Sequence, residues 1–288
     1  IADTVPVVVN ARGTLDLNNF TETLASLRVN TDGTVLVGAG TLRPATLQMT
    51  GGEIRMGTTG RVSLSGTGVQ LLAGGNRAMI VGGQAVTGTD YMFDVANGSN
   101  AIDLWVSSDL TTPTAAVIKS GEGTLVRNGR NTFGGGVRVN AGEVKVTRNE
   151  ALGATGTTVL LGQGAAFGAV TSVDTPMANL SMGATDGWHK HVVVAADRTI
   201  RLDTAGGATY GIIDVDRDWG YPLAWGGAQL HIYGRLQNNN VATAPAGTIV
   251  KTGTGMVAFR NTAAYDNRIA RLEIREGAVS LHHQLALG

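Results

Sequence analysis

The sequence contains no cysteine among its 288 residues. This absence excludes a disulfide framework, a zinc site built from thiolates and a cysteine nucleophile. A cysteine-free chain that works outside the cell must gain its stability in another way. A long stacked β-sheet, in which backbone groups of neighbouring strands pair, can provide that stability.

Charged residues and long apolar runs are also scarce. Charged residues make up 15% of the chain, and 22 basic residues balance 22 acidic ones. A neutral balance without basic clusters argues against a nucleic-acid partner, and no apolar run approaches the ~20 residues of a membrane helix. Residues 1–10 lack the basic region of a signal peptide. We therefore expect no transmembrane segment, and either a removed signal or an excerpt of a longer protein.

Glycine, in contrast, is abundant, with 42 residues, about twice its average share. A recurring unit consists of a glycine followed by alternating apolar and polar residues, which is the period-two pattern of a strand with one buried face. Val35, Ile54 and Val144 are among the residues that this pattern directs into a core. The unit occurs at 13–17, 33–37, 52–56, 60–64, 142–146 and 277–281.

The spacing of this unit predicts a solenoid. Gly13, Gly33 and Gly52 follow one another at intervals of about 20 residues. A repeat of this length with one clear strand cannot close its own core and must stack on further copies. The sequence thus predicts an all-β fold, a right-handed single-stranded parallel β-helix over residues 1–288, with roughly 14 rungs and a length of about 65–70 Å. An antiparallel sandwich or barrel is the alternative, because Asn-Gly turns also make hairpins.

A larger internal repeat spans residues 118–153 and 250–288. Both copies begin with an apolar residue, lysine, serine or threonine, and then Gly-x-Gly. The residues of this structural motif are Lys119, Gly121, Gly123, Leu125, Asn131, Gly135 and Gly142 in the first copy, and Lys251, Gly253, Gly255 and Gly277 in the second.

The first copy resembles the autotransporter-associated β-helix repeat. That family's pattern continues after Gly-x-Gly with Thr-Leu, Asn-Thr-aromatic-x-Gly, a strand, Ala-Gly and a second strand, and residues 118–145 follow it nearly throughout. The second copy departs from it after Gly255, since Asn261-Thr-Ala-Ala-Tyr265 lacks the glycine pair. The resemblance implies an exported passenger-type protein at the extracellular or outer-membrane surface of a bacterium, and it implies no particular activity.

Three aspartates are the candidates for a metal site. Asp214, Asp216 and Asp218 alternate along one predicted strand, so their carboxylates could bind Ca²⁺. An EF-hand loop does not fit, because Gly220 comes one position late and position twelve is Trp225. The same acids could also serve a polysaccharide-cleaving β-helix enzyme, which needs carboxylates at a defined separation. The alternative is that they decorate an outer face.

Other features have simpler interpretations. His189 and His191 could hold a metal, but an exposed strand or loop explains them equally. Aromatic residues concentrate at 219–225 and could stack on sugar rings, although a loop packed outside the rod, within an excursion over 186–226, is the interpretation we favour. A nucleophile elbow is missing. We therefore expect no enzyme, no catalytic residue and no cofactor.

The expected function is structural or adhesive, a β-helical rod at the cell surface. Its partners would be a surface glycan or a host or matrix component. A first alternative is a self-assembling filament, a homopolymer that joins open β-helix ends through the N-terminal strand Val5–Val9. The second alternative is the polysaccharide-cleaving enzyme described above.

Overall fold

The computed structural model describes residues 2–65, 68–72, 76–170, 192–215, 229–238, 246–260 and 269–283. These residues form a β-solenoid in which the chain turns repeatedly around one core, and each turn places its strands on those of the turn before. All strand pairs among them are parallel. The predicted all-β parallel β-helix is confirmed, and its right hand stays a prediction from the crossover rule.

Two long sheets run the length of the solenoid. Sheet 1 contains β1 (Pro6–Val9), β4 (Ser26–Val29), β7 (Leu47–Met49), β10 (Val69–Leu71), β13 (Tyr91–Val95), β16 (Val117–Ser120), β18 (Val137–Val139), β20 (Thr158–Leu161), β23 (Thr199–Leu202) and β26 (Arg235–Asn238). Sheet 2 contains β2 (Thr14–Asp16), β5 (Thr34–Gly38), β8 (Glu53–Met56), β11 (Ala78–Val81), β14 (Leu104–Val106), β17 (Thr124–Arg127), β19 (Glu143–Val146), β21 (Ala166–Ala169), β24 (Tyr210–Val215), β27 (Thr248–Thr252) and β29 (Arg271–Ile274).

The third side is divided into two shorter sheets. Sheet 3 contains β3 (Thr21–Leu24), β6 (Thr41–Pro44), β9 (Arg61–Ser63), β12 (Gln84–Val86) and β15 (Asp109–Leu110). Sheet 4 contains β22 (Val192–Val194), β25 (Leu230–Ile232), β28 (Met256–Phe259) and β30 (Ala278–Leu281). Between them lie turns and a one-turn 3₁₀ helix (Asn149–Leu152) that packs against β22.

The number of rungs is smaller than the sequence spacing predicts. Among the described residues, sheet 2 has eleven strands, and the ten spacings between them, at about 4.8 Å each, give a length of about 48 Å. The first coils are short, as Leu27 pairs with Leu47, but a far longer coil separates Val159 from its partner Ile200. A longer coil does not lengthen the rod, because the spacing between hydrogen-bonded strands is fixed.

The core consists of aliphatic side chains stacked from rung to rung. Ile54 of β8 lies in register with Val35 of β5 and with Ile80 of β11. All three side chains are fully buried, as is Val144 of β19. The alternation along each strand therefore points the residues that were predicted to fill the core inward, and the intervening residues outward.

Part of the predicted excursion over 186–226 falls in regular structure. Residues 192–215 contain β22, β23 and β24, which pair with β25, β20 and β21 respectively. The remainder of that range lies outside the described residues. The predicted N-terminal strand Val5–Val9 corresponds to β1, which pairs with β4 in parallel. In the described part of the chain, no helix has the length and apolar character that crossing a membrane requires.

The stacked core makes a direct prediction about stability. Replacing Ile54 by alanine removes a buried side chain from the middle of a stack, and we expect the free energy of unfolding to fall by about 2–5 kcal/mol. Its exposed neighbour Arg55 is the matched control, since its ion pair with Glu53 is at the surface and Arg55→Ala should cost no more than about 1 kcal/mol. Urea unfolding measures both, and equal losses would contradict the inward position of Ile54.

Candidate functional site

The repeat motif forms a corner built around a buried lysine. Lys119 occupies an inward position of β16 and is fully buried. Its Nζ donates hydrogen bonds to the carbonyl oxygens of Ser120 (2.9 Å) and Gly121 (2.6 Å) in its own turn, and of Ala141 (3.1 Å) in the next coil. An ammonium has three donors, so the group satisfies three carbonyls and joins two successive turns.

The second copy repeats this geometry. Lys251 of β27 is also fully buried, and its Nζ donates to the carbonyl oxygens of Thr252, Gly253 (2.7 Å) and, from the next coil, Glu276 (3.4 Å). The two copies lie on different sides of the solenoid, because β16 and β17 belong to sheets 1 and 2, whereas β27 and β28 belong to sheets 2 and 4. The corner is therefore a local structure that forms between sheets 1 and 2 in one copy and between sheets 2 and 4 in the other.

The glycines of the motif allow consecutive turns to stack closely. Gly142 has a φ of +64°, and a Cβ on it would lie 2.5 Å from the carbonyl oxygen of Gly121 and 2.6 Å from that of Gly123. Gly277 takes the same place in the second copy, where a Cβ would overlap the carbonyl oxygens of Gly253 and Gly255. Only glycine fits at these two positions, since both the dihedral angle and the space exclude a side chain.

The preceding coil supports each Gly-x-Gly turn from the other side. The backbone N–H of Gly123 donates to the carbonyl oxygen of Val95 (2.8 Å), and that of Gly255 donates to the carbonyl oxygen of Val215 (2.7 Å). Each turn is thus bonded to the coil before it through the backbone and to the coil after it through the lysine.

Burial changes the acidity of this lysine. Removal of Lys119 from solvent lowers its pKa to about 8, and the carboxylates of Glu122, Asp94, Asp103 and Glu143 oppose the shift. The ammonium form still dominates at neutral pH, which agrees with its three carbonyl partners. The cost of burying the charge is offset by hydrogen bonds rather than by an ion pair in contact.

Asn131 connects three coils at the third side of the solenoid. Its Oδ1 accepts hydrogen bonds from the backbone N–H of Leu110 (2.8 Å) and from Nη2 of Arg127 (3.0 Å), while its Nδ2 donates to the carbonyl oxygen of Ala151 (2.8 Å). Such an amide satisfies backbone groups where the sheet is interrupted between β15 and β22. Its role is therefore structural.

The two other residues of the first copy serve packing. Leu125 is fully buried in the core, and Gly135 donates its N–H to the carbonyl oxygen of Ala115 (2.9 Å) where the two coils approach closely. The corresponding turn of the second copy, at 261–265, lies outside the described residues, as do residues 284–288.

Two buried arginines were not predicted from the sequence. Arg127 is inward-facing and lies over the ring of Phe93, 5.8 Å from its centroid, and burial lowers its pKa to about 9. Arg198 donates to Asn149 Oδ1 (2.8 Å) and to the carbonyl oxygens of Gly153 (2.9 Å) and Ala154 (3.0 Å), and so closes the end of the 3₁₀ helix. The period-two pattern does place Arg127 inward, because it lies two residues after the inward Leu125. This spacing could have predicted its burial from the sequence.

Asp214 takes part in an ion pair on the outer face of sheet 2. Lys145 Nζ lies 2.8 Å from Asp214 Oδ2 and 3.4 Å from Glu143 Oε2, and Thr252 Oγ1 donates to Asp214 Oδ1 (2.7 Å). Burial by itself raises the pKa of Asp214, but the charge of Lys145 and the hydrogen bonds from Lys145 and Thr252 outweigh it and leave this pKa below its ordinary value. The carboxylate is thus already bound to an ammonium.

The other candidates for metal or sugar binding lie outside the described residues. They are Asp216, Asp218, His189, His191 and the aromatic group at 219–225. Among the residues that are described, no group of three histidine or acidic side chains is arranged to hold a metal ion.

Comparisons of the chain with protein-family models, curated proteins and solved structures find no match. The resemblance to the autotransporter-associated repeat consequently rests on the motif residues of this sequence. The geometry of the lysine corner describes what those residues do in this chain, and family membership stays a prediction.

Two glycine variants separate steric from dihedral effects in the corner. Gly142→Ala meets both a positive φ and two carbonyl oxygens, whereas Gly156 has a similar φ of +76° with no atom within 4 Å of an added Cβ. We expect Gly156→Ala to lower the free energy of unfolding by about 1 kcal/mol through the dihedral angle alone. Gly142→Ala should lower it by at least about 2 kcal/mol more. Similar losses in thermal or urea unfolding would show that the turns are not closely stacked.

The lowered pKa of Lys119 predicts that the free energy of unfolding depends on pH. Its pKa is about 8 in the folded chain and 10.5 in the ordinary case, so between these values the unfolded state binds more protons and the free energy of unfolding rises with pH. Relative to Lys119→Met, wild-type stability should increase by up to about 3 kcal/mol between about pH 8 and about pH 10.5. A wild-type minus variant difference that stays constant over this range would contradict the burial of the ammonium.

Proposed function

We propose that this chain is the rod-forming part of an exported bacterial protein of the autotransporter-passenger type, that it acts at the cell surface as a structural or adhesive element, and that it is not an enzyme. The observation that carries the proposal is the lysine corner. Lys119 and Lys251 direct their donors to the carbonyl groups of successive turns, so the motif that resembles the family repeat serves the scaffold.

The physical properties of the rod support this role. A parallel solenoid gains its stability from hydrogen bonds and packing between neighbouring coils, and it needs neither a disulfide nor a metal. A chain without cysteine also cannot form wrong disulfides if it crosses an oxidising compartment unfolded. Both properties suit a protein that folds after export.

The proposed partners follow from the same argument. Surface loops of a rigid scaffold commonly carry recognition, and the partner we propose is a glycan of a cell surface or a component of a host matrix. A nucleic-acid partner is not proposed, because basic and acidic residues balance at 22 each.

The two alternatives rest on the sequence alone. A filament would require strand addition at Val5–Val9. A polysaccharide-cleaving enzyme would require Asp214, Asp216 and Asp218 as its acidic cluster. Asp214 is held by Lys145 and Thr252, which leaves its carboxylate engaged in the scaffold.

Labelling of intact cells tests the proposed location. Antibodies raised against the folded chain should bind to intact cells of the bacterium that encodes it, and protease added outside should remove the signal. A periplasmic marker, labelled only after permeabilisation, is the control for membrane integrity. If the chain becomes accessible only together with that marker, the proposed surface role is wrong.

A further inference from the structure

Three ionisable side chains meet on the outer face of sheet 2 across two different parts of the chain. Glu143 and Lys145 lie on β19, and Asp214 lies on β24, two strands further along the sheet. Nζ of Lys145 is in contact with both carboxylates, at 2.8 Å from Asp214 Oδ2 and 3.4 Å from Glu143 Oε2. The side chains are only 10%, 15% and 19% exposed for Lys145, Glu143 and Asp214.

The strand between them leaves room for this contact. Gly168 of β21 pairs with Lys145 on one side and with Asp214 on the other, so the side chains of Lys145 and Asp214 together bridge two strand spacings, about 9.6 Å. A Cβ at Gly168 would lie 3.1 Å from Glu143 Oε1 and would overlap the carbonyl oxygen of Asp214. The missing side chain therefore opens the path along which Lys145 reaches Asp214.

The surroundings on one side are apolar. Val126 pairs with Lys145 in the adjacent strand and is buried in a cluster with Val81 and Trp105 on the same outer face. An ion pair beside such a cluster loses part of its hydration. This loss reduces the free-energy difference between the ionised pair and a neutral amine beside a neutral carboxylic acid, although Lys145 and Thr252 still hold the pKa of Asp214 below its ordinary value.

We propose that Lys145 and Asp214 become joined by an amide bond between Nζ and Cγ, with Glu143 as the proton shuttle. The resting pair is ionised, and the reactive form arises by proton transfer inside the contact, from Nζ to the neighbouring carboxylates. Thr252, which donates to Asp214 Oδ1 at 2.7 Å, holds the oxygen that becomes negative when the carbonyl is attacked.

The step balances without any further reactant. The nitrogen lone pair of Lys145 attacks Cγ of Asp214 and forms the C–N bond. Oδ2 takes up protons that originate from Nζ, passed on by Glu143, and leaves as water, while Oδ1 becomes the amide oxygen. An amine and a carboxylic acid are converted to an amide and one water molecule, with no oxidation or reduction. Holding the two groups in contact replaces a bimolecular encounter, which raises the effective concentration greatly.

The bond would fasten β19 to β24 across β21. It would close a loop of the chain that contains the segment between β21 and β22. A covalent link of this kind limits the conformational freedom of the unfolded chain, as a disulfide does. This protein has no cysteine with which to form a disulfide.

Intact-mass spectrometry of the folded, full-length chain tests the proposal. We expect the wild type, measured after denaturation, to be lighter than its sequence by one water molecule, and proteolysis to give one branched peptide that contains Lys145 and Asp214. Lys145→Arg is the matched control, because it retains the positive charge and should show the full mass. A wild type that keeps its full mass after prolonged incubation, or a loss of water that maps elsewhere, would overturn the proposal.

A second variant tests the shuttle and does not depend on the loss of the ion pair. Glu143→Gln keeps Lys145 and Asp214 in place, and the loss of water should slow by about 10²-fold or more. Linkage at the wild-type rate in this variant would remove Glu143 from the mechanism. Circular dichroism of both variants confirms that they fold, so that a full mass reports on the chemistry.

Discussion

Each coil of the solenoid depends on its neighbour, because a single turn of about twenty residues cannot bury its own apolar side chains. The parallel hydrogen bonds between successive coils fix the strand spacing, and the spacing in turn places the side chains of one rung directly over those of the next. The continuous stack through Val35, Ile54 and Ile80 is the result. The positions of the lysine corners and of the outer ion pair depend on the same register.

The same register creates a problem at the corners, where the chain leaves one sheet and turns toward the next. Carbonyl groups in the turns point away from the ladder and need other partners. Lys119 and Lys251 supply three donors each from the inside of the solenoid. At the third side, Asn131 and Arg198 likewise donate hydrogen bonds to carbonyl oxygens of the turns. A buried cation is acceptable there because it meets several carbonyl dipoles at once.

The side chains on the outer face of sheet 2 make contacts of a different kind. Along one outward column of sheet 2, the apolar residue Val126 is followed by Lys145, Gly168 and Asp214 on successive strands. A parallel solenoid brings into contact residues that are far apart in sequence whenever a coil contains a long insertion. In this protein the long coil from Val159 to Ile200 lies between Lys145 and Asp214, and the ion pair joins the strands that precede and follow it.

Much of the fold was predictable, because it follows from local properties of the chain. Period-two alternation and glycine at turns of positive φ determined the strands, the inward direction of residues such as Ile54, and the need for stacking. The spacing of about 20 residues near the N-terminus did not reveal that a later coil is much longer. The number of rungs was therefore overestimated. The lysine motif was recognised as a repeat, but its sequence did not show that Lys119 points into the core.

The sequence by itself determined the period of the strands, the turn glycines and the need for coils to stack, since each depends on neighbours in the chain or on a similar neighbouring coil. Only the tertiary structure decided that the second repeat copy lies on a different side, and that Asp214 meets Lys145 over Gly168. The reason is that contacts between rungs depend on the length of every intervening coil, and the coil from Val159 to Ile200 is far longer than the coil from Leu27 to Leu47.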